Sequence, residues 1–154
     1  MRVLIERLEE SKWNSSDYEM KLTADGVQLI DVETGKVAVE IDDFFKPNSQ
    51  FSYKGLKLAG FNNIGTRSGY RGKGLGRLLI AMLANYCLEK GWVLSAEEGS
   101  IDKGKFRRYP RTALATKMHD FWKRYQKVVE MPDPLDPEKT LVLRLYNKKI
   151  PLDR

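Results

Sequence analysis

The sequence predicts an α/β (α+β) fold in which a mixed, mainly antiparallel sheet carries helices packed against it. Two observations support this fold class. In the first third of the chain, polar and apolar residues alternate in short runs separated by turn residues, which is typical of antiparallel hairpins. Near the middle, an apolar run leads through a glycine-rich loop into a segment with one apolar helical face. Together they predict hairpins followed by a strand–loop–helix unit.

The N-terminal part of the chain is predicted to form hairpins and then a longer strand. Residues 1–17 are compatible with either a strand or a short helix. After a loop over 42–49, residues 51–66 form a strand, with bends expected at Gly55 and Gly60. Three alternating runs predict the hairpins: 19–23, 27–32 and 36–41.

A helix is predicted directly after position 74. Its apolar residues recur at the spacing of one helical face, and Lys90-Gly91 supplies the cation and the glycine typical of a helix C-terminus. The apolar face consists of Leu75, Leu78, Leu79, Met82, Leu83 and Tyr86.

The C-terminal part alternates strands with connecting segments. Residues 92–96 are predicted to form a short buried strand, and 97–111 a long basic loop. A second helix is expected over 112–125, because apolar residues again recur on one face. The three prolines of 131–137 predict a loop, and alternation over 140–146 predicts a terminal strand.

Composition favours one globular domain over residues 1–154, since hydrophobic residues make up 42% of the chain. No apolar run reaches the length of a membrane span, and the charged N-terminus does not resemble a signal peptide. Cys87 is the single cysteine, so an internal disulfide is excluded and a reducing, cytoplasmic location is favoured. One cysteine and one histidine give no zinc-site spacing, and we expect no metal.

The charge is distributed unevenly. The chain carries a net charge of +6, yet residues 1–50 hold 6 Lys/Arg against 11 Asp/Glu. Residues 103–127 hold nine cations and one carboxylate, Asp120. Within this window, residues 103–111 interleave cations with Phe106 and Tyr109, a composition suited to polyanions or nucleic acid. A solvated basic loop is the alternative interpretation.

The loop before the predicted helix has glycine at positions 69, 72, 74 and 76. Glycine lets the backbone approach a ligand closely, and the first N–H groups of a helix attract anions, phosphate above all. The spacing excludes two common phosphate loops. Arg77 stands where a dinucleotide fingerprint needs its third glycine, and no glycine is followed by Lys-Ser or Lys-Thr as in a P-loop.

The pattern Arg71-x-x-Gly74-x-Gly76 resembles the pyrophosphate-binding signature [RQ]-x-x-G-x-[GA] of the GNAT superfamily of acetyl-CoA-dependent N-acetyltransferases. The resemblance implies acetyl-CoA as cosubstrate. It also implies that Ile64, Gly65 and Thr66 contact the pantetheine and the thioester, with a backbone N–H near Thr66 polarising the thioester carbonyl. The pyrophosphate would be bound by Arg71, Gly72, Lys73, Gly74, Leu75, Gly76 and Arg77.

The resemblance further implies a splayed central strand pair. In this family, the two strands that flank the central helix separate at one end, and the pantetheine lies in the gap. The corresponding residues here are 58–64 and 92–96.

The catalytic residues are less defined. Because the strand over 55–66 has no carboxylate, Glu97, with Glu98 beside it, is the closest candidate for a general base. A water molecule as the base, or a solvated acidic turn, is the alternative. Trp122 aligns with the family's tyrosine acid but has no hydroxyl, so Tyr125 is the nearest replacement; a core role for Tyr125 is the alternative.

The sequence therefore predicts an N-acetyltransferase that moves an acetyl group from acetyl-CoA to an amine. The acceptor, whether a protein, a small molecule or a nucleic-acid-associated group, is not identified by the sequence. Two alternatives remain: a basic nucleic-acid-binding protein, and a CoA-binding scaffold of this fold without turnover.

Overall fold

The computed structural model describes residues 15–108 and 123–152, which contain eleven strands and one α-helix. A 3₁₀ turn over Ser15–Asp17 precedes the first strand. The elements are β1 Tyr18–Leu22, β2 Val27–Asp31, β3 Val37–Ile41, β4 Phe44–Phe45, β5 Ser52–Tyr53, β6 Leu56–Phe61, β7 Ile64–Thr66, α1 Leu75–Glu89, β8 Trp92–Asp102, β9 Lys105–Arg108, β10 Lys127–Asp133 and β11 Asp136–Tyr146.

The first sheet has four antiparallel strands in the order β1-β2-β3-β7. Its hairpins confirm the prediction from alternating residues. Gly26 is required at the first turn, since a Cβ there would lie 2.0 Å from the carbonyl oxygen of Ile41. Gly35, in the second turn, has a φ of +74°, which glycine adopts without strain.

The second sheet has the order β10-β11-β8-β6-β4, with β5 added to β6 and β9 added to β8. Strands β6 and β8 are parallel, whereas the other pairs are antiparallel. Parallel neighbours need a crossover connection, and α1 supplies it. The predicted fold class, a mixed and mainly antiparallel sheet, is confirmed.

The strand predicted over 51–66 is divided into three. Lys54 and Gly55, both with positive φ, form the two-residue turn of the β5–β6 hairpin. At Asn62 the chain leaves the second sheet, and β7 joins β3 of the first. A period-two pattern identifies extended chain, but it does not reveal a change of sheet.

Helix α1 packs on one face of this arrangement, and the predicted helix is confirmed. Its leucines Leu78, Leu79 and Leu83 are fully buried, and they belong to one apolar cluster with the buried Leu94 and Ala96 of β8. The opposite face of the second sheet has its own apolar cluster, of which Leu58, Val93, Leu143 and Leu145 are members. The second sheet is therefore buried on both faces near its centre.

Two predicted loops are wrong. Residues 97–108 of the loop predicted over 97–111 instead form the second half of β8 and then β9, connected by a turn in which Lys103 and Gly104 have positive φ. The proline-rich loop predicted over 131–137 is mostly strand. Residues 131–133 are the end of β10, residues 136–137 are the start of β11, and the two strands pair with each other. Edge strand β10 tolerates Pro132, because an edge strand has one side on which no ladder hydrogen bond is needed.

Two further predictions fall on other parts of the chain. Residues 1–14 and most of the helix predicted over 112–125 lie outside the described residues; 123–125 form a turn. Among the described residues, no helix is both long and apolar enough to cross a membrane.

Candidate active site

The central strand pair separates after Gly60. Strands β6 and β8 are paired from Lys57–Trp92 to Gly60–Ser95, and the Ser95 hydroxyl donates a 2.7 Å hydrogen bond to the carbonyl of Ala59 at the end of this ladder. Beyond this point the segment after β6 turns toward β3 and pairs with it as β7, whereas β8 continues alongside β11. The predicted splay is confirmed, and it opens where Phe61 and Ala96 follow the last pair.

Strand β7 presents an open backbone edge to this gap. The carbonyl of Asn63 accepts from the Asp42 amide at 3.0 Å, and the amide of Arg67 donates to β3 at 2.8 Å. Because backbone groups alternate in direction along a strand, the N–H groups of Ile64 and Thr66 point away from β3, toward β8. The N–H groups of Ile64 and Thr66 therefore border the gap, directly before the glycine loop begins.

The glycine loop leads into α1 with an uncapped helix start. Gly72 and Gly74 have φ values of +80° and +73°, and Gly74 is the N-cap residue. Glycine has no side chain to accept a hydrogen bond from the first turn, and that turn contains no acidic residue. The helix start therefore keeps its positive end toward the loop.

Arg71, the first residue of the Arg71-x-x-Gly74-x-Gly76 motif, and Tyr70 directly before it hold the loop in place. The Arg71 Nε donates to the carbonyl of Thr66 at 3.4 Å, which folds the loop back onto β7. The Tyr70 hydroxyl donates to Asp31 Oδ2 at 2.8 Å and lies 3.2 Å from Thr34 Oγ1. This contact lowers the pKa of the Asp31 carboxyl, with the Tyr70 hydrogen bond as the main cause.

The predicted phosphate-binding residues differ in what they can offer. Arg71, Gly72 and Lys73 are exposed, and the Lys73 ammonium lies 5.6 Å from the centre of the Tyr70 ring. Leu75 and Gly76 are buried, so Leu75 can contribute only its backbone. The roles of Tyr70 and Asp31 were missed at the sequence level; the aromatic residue directly before Arg71 was the available signal.

A cleft of about 250 Å³ opens on the side of the sheet opposite α1. Gly60 and Ser95, the last pair before β6 and β8 separate, line the cleft. The cleft therefore adjoins the gap. Glu97 also lines the cleft, two residues further along β8. The other walls come from β4, the segment 48–51 and the β10–β11 turn.

The two catalytic candidates lie on opposite faces of the sheet. Glu97 is paired with Leu143 and shares the face of the cleft. Tyr125 packs against the cluster that contains Leu94 and Ala96, on the face of α1. This packing fits a core role for Tyr125 as well as a position on the far side of the gap.

Glu98 has a structural role. It is the extra residue of a β-bulge in β8, and its carboxylate forms an ion pair with Arg144 of β11. Both side chains are buried, and among the described residues Arg144 Nε and Nη1 have no hydrogen-bond partner. This pair, invisible to sequence patterns because its members are 46 residues apart, leaves Glu97 as the candidate base.

The basic segment 103–111 begins as the tip and second strand of the β8–β9 hairpin. Lys103, Lys105 and Arg107 are exposed, and Phe106 is 47% exposed. Residues 109–111 lie outside the described part of the chain. In residues 15–108 and 123–152, no group of three or more His, Cys, Asp or Glu residues is arranged to hold a metal ion.

Comparison with known proteins finds resemblance in structure only. No family model and no curated protein matches the chain. The ribosomal-protein-S18-alanine N-acetyltransferase of Escherichia coli is 17% identical, with 94% of this chain and 77% of that chain covered and a TM-score of 0.46. Ard1 from Thermoplasma volcanium is 16% identical, with 94% and 78% covered and a TM-score of 0.43.

A third solved structure is Arabidopsis thaliana Naa50 in complex with the bisubstrate analogue CoA-Ac-MVNAL. It is 12% identical, with 77% of this chain and 70% of that chain covered and a TM-score of 0.41. In fold, the chain is similar to GNAT-family acetyltransferases of known structure.

Proposed function

We propose that the chain is an N-acetyltransferase of the GNAT superfamily that transfers an acetyl group from acetyl-CoA to an amine. The observation that carries the proposal is the open edge of β7, which faces the gap beyond the Gly60–Ser95 pair. An extended pantetheine arm has amide groups of its own and can hydrogen-bond to such an edge as an added strand does. The location we propose is cytoplasmic.

The residues present fit a diphosphate at the end of that gap. The loop runs directly from β7 to α1, so an arm lying along β7 leads to the helix start. A Cβ placed on Gly72 would meet no atom within 4 Å, which leaves open space above the loop. Exposed Arg71 and Lys73 add positive charge to the helix dipole. The resemblance of this motif to the family signature supports the same assignment.

When bound, acetyl-CoA supplies an activated thioester. The amine nitrogen bonds to the acetyl carbon, the carbon–sulfur bond breaks, the amine loses a proton and the sulfur gains one. In our proposal, the Thr66 N–H donates to the thioester oxygen, where negative charge develops. Glu97, or a water beside it, accepts the amine proton from the cleft side. Tyr125 is the candidate proton donor to the sulfur, with a packing role as the alternative.

Calorimetry with acetyl-CoA tests the binding half of the proposal. We expect one site per chain, and acetyl-pantetheine, which lacks the diphosphate, should bind at least about tenfold more weakly, a difference of about 1.4 kcal/mol. Release of the CoA thiol on addition of a panel of amines tests turnover. Absence of acetyl-CoA binding contradicts the proposal, and binding without thiol release for any amine indicates the scaffold without turnover.

The β8–β9 hairpin favours a second candidate function, the binding of nucleic acid. Three exposed cations, Lys103, Lys105 and Arg107, lie on the same hairpin as the half-exposed ring of Phe106, and these residue types are suited to phosphate and base-stacking contacts. A fluorescent single-stranded RNA should bind with an affinity that falls steeply with salt. Lys105→Gln with Arg107→Gln should weaken binding, whereas Lys57→Gln on β6 should not. Binding that is insensitive to salt contradicts this function.

A further inference from the structure

The cleft beside Glu97 has a lining that contrasts with the basic character of the chain. Two carboxylates, Glu97 and Asp133, contribute to it, and no Lys or Arg is among its described lining residues. The chain as a whole carries a net charge of +6. Two carboxylates in a lining with no described Lys or Arg favour a positively charged ligand over an anionic one.

The rest of the lining is mainly apolar. Phe45 and Phe51 line the cleft together with Leu135 and Leu141, and Phe61, whose side chain packs against the cluster on the α1 face, borders it. Aromatic faces attract an ammonium ion and also bury an apolar group. The lining therefore suits a ligand with one cationic end and one apolar body.

The size of the cleft limits this ligand. A volume of about 250 Å³ corresponds to roughly eight waters at about 30 Å³ each, and thus to a ligand of roughly ten non-hydrogen atoms. Its mouth carries two exposed apolar side chains, since Phe45 is 49% and Leu135 is 89% exposed, beside the exposed amides of Asn48 and Gln50. A ligand of this size lies within the cleft as a whole, whereas a polypeptide would extend past these side chains into solvent. A free small amine is therefore favoured over a polypeptide.

We propose that the acceptor is a small primary amine attached to an apolar, preferably aromatic, body. This inference rests on the proposed function for the acetyl transfer, but not for the binding of the amine. The ammonium group lies between Glu97 and Asp133, and the body packs against the phenylalanines. Loss of one proton from the ammonium group toward Glu97 or water then frees the nitrogen lone pair, beside the gap that begins at Gly60 and Ser95.

A comparison of matched amines tests the acceptor class. With acetyl-CoA present, 2-phenylethylamine should have a kcat/KM at least about tenfold higher than ethanolamine, which lacks the apolar body, because even a single methylene in an apolar pocket is worth about tenfold. It should also exceed 1,4-diaminobutane and a tetrapeptide with N-terminal phenylalanine. Equal or higher activity with either of these two overturns the proposal.

Two aspartates provide a matched pair of variants. Asp133 Oδ1 accepts from the Leu135 amide at 2.9 Å, and Asp136 Oδ1 accepts from the Glu138 amide at 3.2 Å, but only Asp133 lines the cleft. An asparagine keeps the side-chain oxygen that makes this turn bond. Asp133→Asn should raise the KM for 2-phenylethylamine several-fold without changing the KM for acetyl-CoA, and Asp136→Asn should change neither. Equal effects of the two variants contradict the proposal.

Direct binding separates this inference from the proposed function. Titration of 2-phenylethylamine into the full chain without acetyl-CoA should perturb the aromatic NMR signals of Phe45 and Phe51 more than those of Phe106. If the amine binds there but acetyl-CoA does not bind, the acetyltransferase proposal fails and the ligand class stands. If acetyl-CoA binds and the amine leaves these signals unchanged, the ligand class fails and the acetyltransferase proposal stands.

Discussion

Tyr70 connects the glycine loop to the first sheet through a single hydroxyl. It donates to Asp31 and contacts Thr34, both at the β2–β3 turn. The Asp31 carboxylate also accepts from the backbone N–H of Glu33 at 3.1 Å. A carboxylate that accepts several hydrogen bonds is favoured over its protonated form, which is why the pKa of Asp31 is lowered.

We expect Tyr70→Phe to move the pKa of Asp31 back toward its usual value, because the largest cause of the shift is removed. A folded-state pKa below the unfolded value stabilises the fold above the unfolded value, and this stabilisation is lost as the pH falls through the folded pKa. The effect is therefore confined to pH below about 4. NMR titration of the Asp31 carboxyl measures it, with Tyr53→Phe as control. An unchanged titration contradicts the contact.

Cys87 lies on the buried face of α1, and burial raises the pKa of its thiol to about 12. At pH 8 only about one thiol in 10⁴ would then be ionised, and the thiolate is the reactive form. We expect no reaction with Ellman's reagent in the folded protein and full reaction after denaturation in guanidinium. Rapid labelling of the folded chain would show that this face of α1 opens.

At the scale of elements, the sequence was informative where the pattern is local. The period of 3.6 in residues 75–86 depends on neighbours within one turn, and α1 lies where the pattern predicts it. The first hairpins are also local. The second half of β8 is different, because Glu97 and Glu98 look like loop residues until β11 pairs beside them and Arg144 neutralises Glu98. No local pattern contains that partner.

The candidate site was predictable to a similar degree. Glycines 72 and 74 indicated the loop conformation, and both have positive φ. The cleft was not predictable, since it brings together Phe45, Glu97 and Asp133 from three separate parts of the chain. Glu97 was singled out only by its place after a predicted strand. Its position beside the gap between β6 and β8 depends on the pairing of β8 with β6 and β11.

The start of α1 allows a test that distinguishes a loss of stability from a loss of acetyl-CoA binding. Gly74 and Gly55 have φ values of +73° and +82°, so Gly74→Ala and Gly55→Ala force the same left-handed conformation on an alanine. Each should lower the free energy of unfolding by about 1–2 kcal/mol. Only Gly74→Ala should also weaken acetyl-CoA binding, by about tenfold or 1.4 kcal/mol in calorimetry. Equal affinities for the two variants contradict a diphosphate site at the helix start.

At the scale of the whole molecule, the buried Glu98–Arg144 pair connects β8 to β11. Burying two charges requires that they neutralise each other, and Arg144 still has two nitrogens without hydrogen-bond partners among the described residues. The pair is therefore needed mainly because each member would otherwise be a buried lone charge. Its net contribution to stability is expected to be small.

We therefore expect a single variant of this pair to be less stable than the double variant that removes both charges. Arg144→Met removes the cationic partner of the buried Glu98 carboxylate, and should lower the free energy of unfolding by about 3–5 kcal/mol in urea denaturation. Arg144→Met with Glu98→Leu removes both charges and should recover most of this loss. Arg67→Met, which breaks the exposed 3.3 Å pair with Glu40, should cost less than about 1 kcal/mol. If the double variant is as unstable as Arg144→Met alone, the ion pair itself, and not the unpaired charge, holds β8 and β11 together.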